Sequence, residues 1–166
     1  MRALPSDNRH WSVLEQLPIR GKVFFFETVV KEHPLALTAA DFPVFHHFSP
    51  GRYRRELRVP KGMIIIGKLH KYACVSTLEE GDMSVLVGDE IVRIKAPYIG
   101  ISPAGTKRIA YTHEASIWIT SHVTTETDVA KLEHELVAES EQEYQEFCRM
   151  IHRRSARDSF IVTANS

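Results

Sequence analysis

Hydrophobic and polar positions divide the chain into three stretches with different periods. In the first, to about Phe48, Trp11, Leu14 and Leu17 recur at helical spacing after Asp7, a suitable N-cap, and Pro18 ends the pattern. The run Phe24-Phe25-Phe26 with Val29-Val30 fits helix or strand by periodicity; helix is favoured through Glu27 to Glu32, with Pro34 as the stop. Leu35 to Phe48 reads as irregular, broken by Pro43. The second stretch consists of short apolar runs between turn residues: 63–66, 83–87 ending at Gly88-Asp89, 91–95, 98–101 ending at Ser102-Pro103-Ala104-Gly105, 108–112 and 116–122. Strands this short and evenly spaced predict a barrel or jelly roll. In the third stretch the period becomes helical. Val129, Leu132, Leu136 and Val137 follow a Thr127 N-cap, and Tyr144, Phe147, Cys148 and Ile151 continue the stripe after a break near Ser140. Residues 155–166 read as a loosely held tail.

Composition narrows the classes of function. The chain has 166 residues, 43% hydrophobic and 25% charged, enough for one domain with a real core. Its formal net charge of +0 argues against general nucleic-acid binding, which needs a basic face to displace counterions. Arg52, Tyr53, Arg54, Arg55 and Arg58 form a local basic run, read as a solvated or oligomer-facing strand edge. Cys74 and Cys148 lie far apart, without metal or disulfide spacing, and imply reduced thiols. No run approaches the roughly 20 apolar residues of a membrane span, and the N-terminus lacks an apolar signal core, so a cytoplasmic protein is expected.

The middle stretch carries a spaced motif. Gly62 is followed after five residues by Lys68-Leu69-His70, after three more by Cys74, and after six more by Gly81. Pro103-Ala104-Gly105 precedes Arg108 by the same logic. This frame resembles the two motifs of the cupin superfamily, whose metal-binding pattern is His-x-His, Glu and a later His. Here Lys68, Cys74 and Arg108 stand at three of the four ligand positions, and only His70 keeps its expected type. The strings 59–62, 67–71 and 103–108, Ile117-Trp118, His122, Glu126-Thr127-Asp128 and the segment 46–56 resemble uncharacterised phage-encoded cupin-like proteins. That resemblance implies a shared architecture and no particular activity.

The candidate chemistry follows from the pocket residues. Lys68 and His70, two apart on a strand, share a face. Lysine and arginine at ligand positions add positive charge where a metal needs neutral imidazole or carboxylate. The favoured reading is therefore an anion pocket with no cofactor. In it Lys68, His70 and Arg108 bind a carboxylate or phosphate, and Tyr111 or Trp118 supplies an aromatic wall. The alternative is a reassembled zinc site of His70, Cys74 and His122. The bland reading is a structural one: Arg108 pairs with Glu56 or Glu114, Cys74 is a small core residue, and His46-His47 is a polar pair in a loop. No GxSxG, HExxH or phosphate-loop motif names a reaction.

The expectation is thus a mainly β chain: a cupin-like jelly-roll β-barrel with an N-terminal helical segment and a C-terminal helical extension. The parts are residues 1–48 packed on the barrel, the barrel at 49–124, C-terminal helix or helices at 125–154, and the tail. The expected function is non-catalytic binding of a small anionic ligand or a host protein, as a homodimer, without a membrane. A metal-dependent zinc or iron enzyme and a structural virion or assembly component are the alternatives. The stripe of Leu132, Leu136, Tyr144, Phe147 and Ile151 is a further candidate for contact with a partner subunit.

Overall fold

Two antiparallel sheets face each other across the interior. The computed structural model describes residues 16–38 and 41–162, with side chains described to Ser155. The first sheet holds β1 (Val44–Ser49), β2 (Arg52–Val59), β10 (Ser116–Val123), β5 (Cys74–Glu80) and β8 (Tyr98–Ser102), in that order. The second holds β3 (Ile64–Ile66), β9 (Ile109–Thr112), β6 (Asp82–Val87) and β7 (Glu90–Lys95). A two-stranded ladder joins β4 (Leu69–His70) to β11 (Val137–Ala138), with His70 opposite Val137. The helices are α1 (Ile19–Lys31), α2 (Val129–Leu136) and α3 (Glu141–Val162). The expected mainly β class, with helices before and after the barrel, is the one observed.

Period-2 alternation sets the inner face. On β2, Tyr53 and Val59 are buried and Arg55 and Leu57 line the interior; on β10 the inward positions are Trp118, Thr120 and His122. These pair across the sheet as Tyr53 with His122, Arg55 with Thr120, and Leu57 with Trp118. Leu78, Met83 and Val85 form the core at one end, against Ile65, Ala110 and Trp118. Tyr53, Leu132, Leu136 and Val137 form the core at the other.

The glycine frame is kept for steric reasons. Gly81 has φ +99°, and a Cβ there would lie 2.6 Å from the Ala115 carbonyl oxygen. Gly105 has φ +77°, and a Cβ would meet the Tyr144 hydroxyl at 2.6 Å and Arg20 Nη1 at 2.8 Å. Any L side chain at either place is strained as well as crowded.

Several expectations change. Residues 44–49, expected to be irregular, form β1, closed onto β2 by the Pro50-Gly51 turn with Gly51 at φ +72°. The basic run at 52–58 is therefore no sheet edge but the second strand of five, and His46-His47 sit on a strand rather than in a loop. The helix expected over 27–32 is real but begins at Ile19. The cap of α2 is Asp128 instead of Thr127, with Lys131 N–H donating to its carboxylate at 2.9 Å. The backbone at 155–162, expected as a tail, continues α3. The helix expected around Trp11 and Leu14 lies outside the described residues.

Candidate functional site

The space between the sheets contains a cavity of about 120 Å³. Its floor is apolar, formed by Ile65, Met83, Val85, Ala110 and Trp118. It is covered in part by α2 and β11, which contribute Leu132, Glu133, Leu136 and Val137. Leu132 is 0% exposed and Leu136 5%. These two residues, expected to be available to a partner subunit, instead cover the cavity of their own chain. The lid is held down by Lys71, whose N–H donates to the Leu136 carbonyl at 2.8 Å and whose Nζ donates to the His134 carbonyl at 2.8 Å. Glu143 completes that clasp, 2.7 Å from the same ammonium group.

Charge gathers on one side of the cavity. Arg55, Lys68 and Arg108 line it together with a single carboxylate, Glu133. Lys68 donates to Glu133 at 2.8 Å, an exposed pair at the rim that holds the glutamate carboxyl below its usual range. Arg108 does not meet Glu56, which is occupied by Arg58 at 2.7 Å and His47 at 3.0 Å. Among the described residues no carboxylate ion-pairs with Arg55 or Arg108. The Nε of Arg55 is sealed from solvent and has no hydrogen-bond partner. A buried guanidinium N–H left unpaired is costly unless something else accepts from it.

His70 stands at the centre of the site. Its backbone N–H donates to the Thr106 carbonyl at 3.1 Å, and its carbonyl accepts from Gly105 N–H at 2.8 Å. The Pro103-Ala104-Gly105 turn is thereby fastened to the histidine. The His70 and His122 rings stack 5.4 Å apart, and Tyr53 stacks with His122 at 6.5 Å. The Tyr53 hydroxyl is in turn hydrogen-bonded to His46 Nδ1 at 2.7 Å. Burial, then His122 and the cations Arg55, Arg108 and Lys68, push His70 down from 6.5 to about 4. Burial lowers His122 as well. Both imidazoles are therefore neutral at neutral pH.

Cys74 follows His70 across a short turn and opens β5. It is buried, and burial raises its thiol above the ordinary range despite nearby Ser76 and Ser102 hydroxyls and Arg108. Ligand atoms of His70, Cys74 and His122 all lie within 4.8 Å of one another. The zinc alternative assumed that these three converge, and they do.

The expected site residues thus divide. Lys68, His70, Arg108 and Trp118 all line the cavity, with Lys68 already engaged by Glu133. Tyr111 does not: β9 turns Ala110 inward and Tyr111 outward, where it is 41% exposed and packs edge-on against His113 at 5.0 Å. An aromatic wall of the cavity therefore comes from Trp118 and not from Tyr111. Arg55 and Glu133 were not among the expected site residues. The pairing of Tyr53, Arg55 and Leu57 with alternate β10 positions is the pattern that marks Arg55.

No family model and no curated protein matches the chain. Among solved structures, a cupin superfamily protein from Desulfitobacterium hafniense is 9% identical with a TM-score of 0.43, over 55% of this chain and 91% of that one. The EutQ protein of Clostridium difficile is 12% identical with a TM-score of 0.44, over 55% and 77%. An acetylacetone dioxygenase from Acinetobacter johnsonii is 18% identical with a TM-score of 0.40, and this chain spans 58% of its length. At such values nothing about activity passes from these proteins to this chain.

Proposed function

We propose that this protein binds a small carboxylate-bearing molecule inside the barrel, with Arg55 and Arg108 as its anion clamp. One observation carries the proposal: two guanidinium groups border a mostly apolar cavity between the sheets and neither is matched by a carboxylate. Guanidinium presents paired donors that fit a carboxylate in two-point contact. The cavity is smaller than the roughly 300–1,000 Å³ of drug-sized pockets, so the ligand is short, with its apolar end toward Met83, Val85 and Trp118. Lys68 is a lesser contributor than its motif position suggests, because Glu133 already neutralises it.

The reading is of binding, with no reaction assigned. It retains a homodimer, which sedimentation equilibrium measures, and a host-cell setting that rests only on the sequence resemblance to phage-encoded proteins. Among the described residues no helix is long and apolar enough to cross a membrane.

Calorimetric titration with a series of short aliphatic carboxylates tests the proposal. The double variant Arg55→Gln/Arg108→Gln is expected to weaken the best binder by on the order of a hundredfold, about 3 kcal/mol, with an unchanged circular dichroism spectrum. No binding by the native protein, or equal binding by the variant, would overturn the proposal.

A further inference from the structure

The cluster of His70, Cys74 and His122 plays no part in the anion clamp. The three residues come from β4, β5 and β10, so the barrel itself brings them together. The donor atoms lie within 4.8 Å of one another, and the set is partly or fully buried. His70 Nδ1 is a buried polar atom without any hydrogen-bond partner. Buried ring nitrogens ordinarily have one, and an orphaned one beside a thiol and a second imidazole is a donor set that suits a metal ion.

We propose that His70, Cys74 and His122 bind one thiophilic divalent cation of the zinc class. The set differs from the cupin motif, because Lys68 and Arg108 occupy two of its ligand positions and His122 comes from the last barrel strand. Two imidazoles and a thiolate select zinc or cobalt over magnesium, calcium or manganese, which prefer oxygen ligands. Zinc bonds of about 2.0–2.3 Å in tetrahedral geometry put ligand atoms roughly 3.5 Å apart, so small side-chain rotations suffice to close the set. Cys74 and His122 also line an outer groove with Tyr72, Val75, Ile101 and Val123. This groove supplies an entry path from solvent. His122 borders both groove and cavity, so the metal sits in the wall between them. On binding, the Cys74 thiol proton leaves to solvent and the sulfur bonds as thiolate.

Cobalt(II) titration of the full chain, stripped with a chelator, tests the site. One equivalent is expected to produce the near-ultraviolet charge-transfer absorption of a cobalt–thiolate bond, and zinc is expected to displace it. Cys74→Ser is expected to abolish the band, Cys148→Ser to leave it intact, and His122→Asn to weaken cobalt affinity by about tenfold to a hundredfold or more. A native protein that retains neither metal after dialysis overturns the proposal whether or not the variants fold. So does a band that survives in folded Cys74→Ser. Carboxylate titration of the stripped protein separates this result from the anion clamp, which requires no metal.

Discussion

His70 shows how one buried side chain makes stability depend on pH. Its folded value of about 4 lies below its ordinary 6.5, so between those values the unfolded chain takes up a proton that the folded chain refuses. Stability from this group is complete above about pH 6.5, falls as the pH drops, and levels off near pH 4. The full difference is about 3 kcal/mol at 1.36 kcal/mol per unit, and His122 shifts in the same direction. Urea unfolding of metal-free protein at about pH 7.5 and about pH 5 is expected to show a midpoint clearly lower at the acid end. In His70→Asn that pH dependence shrinks. An equally steep dependence in the variant would show that carboxylates rather than this imidazole govern it.

At the scale of elements, α2 is the part whose role differs most from its sequence pattern. Its apolar stripe was legible, but a stripe does not say which surface it meets. Here Leu132 and Leu136 meet the interior of the barrel. Leu132→Ala is expected to cost about 2–5 kcal/mol, since the side chain is fully buried and its removal enlarges the cavity beneath. Thermal unfolding followed by circular dichroism measures this, and a change below about 1 kcal/mol would mean that the lid closes up around the smaller residue. The short strands β6, β7, β8, β9 and β10 were legible because turn residues bracket them and their apolar positions alternate. β1 was not, and β2 was legible only as a strand edge, because Arg52 to Arg58 looks solvated until β1 and β10 are placed on either side of it. β5 was missed for a similar reason, since its inward positions include Ser76, a polar residue whose hydroxyl meets that of Ser102 across the sheet at 2.7 Å. In the site, Lys68, His70, Cys74 and Arg108 were legible through glycine and proline spacing. Arg55 and Glu133 became visible only with strand register and lid placement, which no local pattern records.

Across the whole molecule, the segments before and after the barrel are tied to each other at the turn that positions His70. Arg20 on α1 donates from Nε and Nη2 to the two Glu141 oxygens, each at 2.6 Å. It also donates from Nη1 to the Gly105 carbonyl at 3.1 Å and lies over the Tyr144 ring at 4.7 Å. A second tie runs from α1 to the barrel, where buried Lys107 pairs with Glu27 at 3.1 Å and lies over Phe24 at 4.8 Å. Gly105 is thus held by Arg20 through its carbonyl and by His70 through its N–H, so α1 and α3 help to fix a cavity that neither of them lines. The Arg20–Glu141 pair is partly exposed, and solvent screening reduces its worth. Its two-point geometry still makes it stronger than an ordinary surface pair. A double-mutant cycle of Arg20→Met and Glu141→Gln is expected to give a coupling energy of about 1–2 kcal/mol in urea unfolding. Because Arg20 also holds the Gly105 carbonyl, Arg20→Met is expected to cost more than Glu141→Gln and to weaken carboxylate binding at the distant cavity. Equal costs for the two variants, with binding unchanged, would show that the helices are merely attached to the barrel and play no part in shaping its interior.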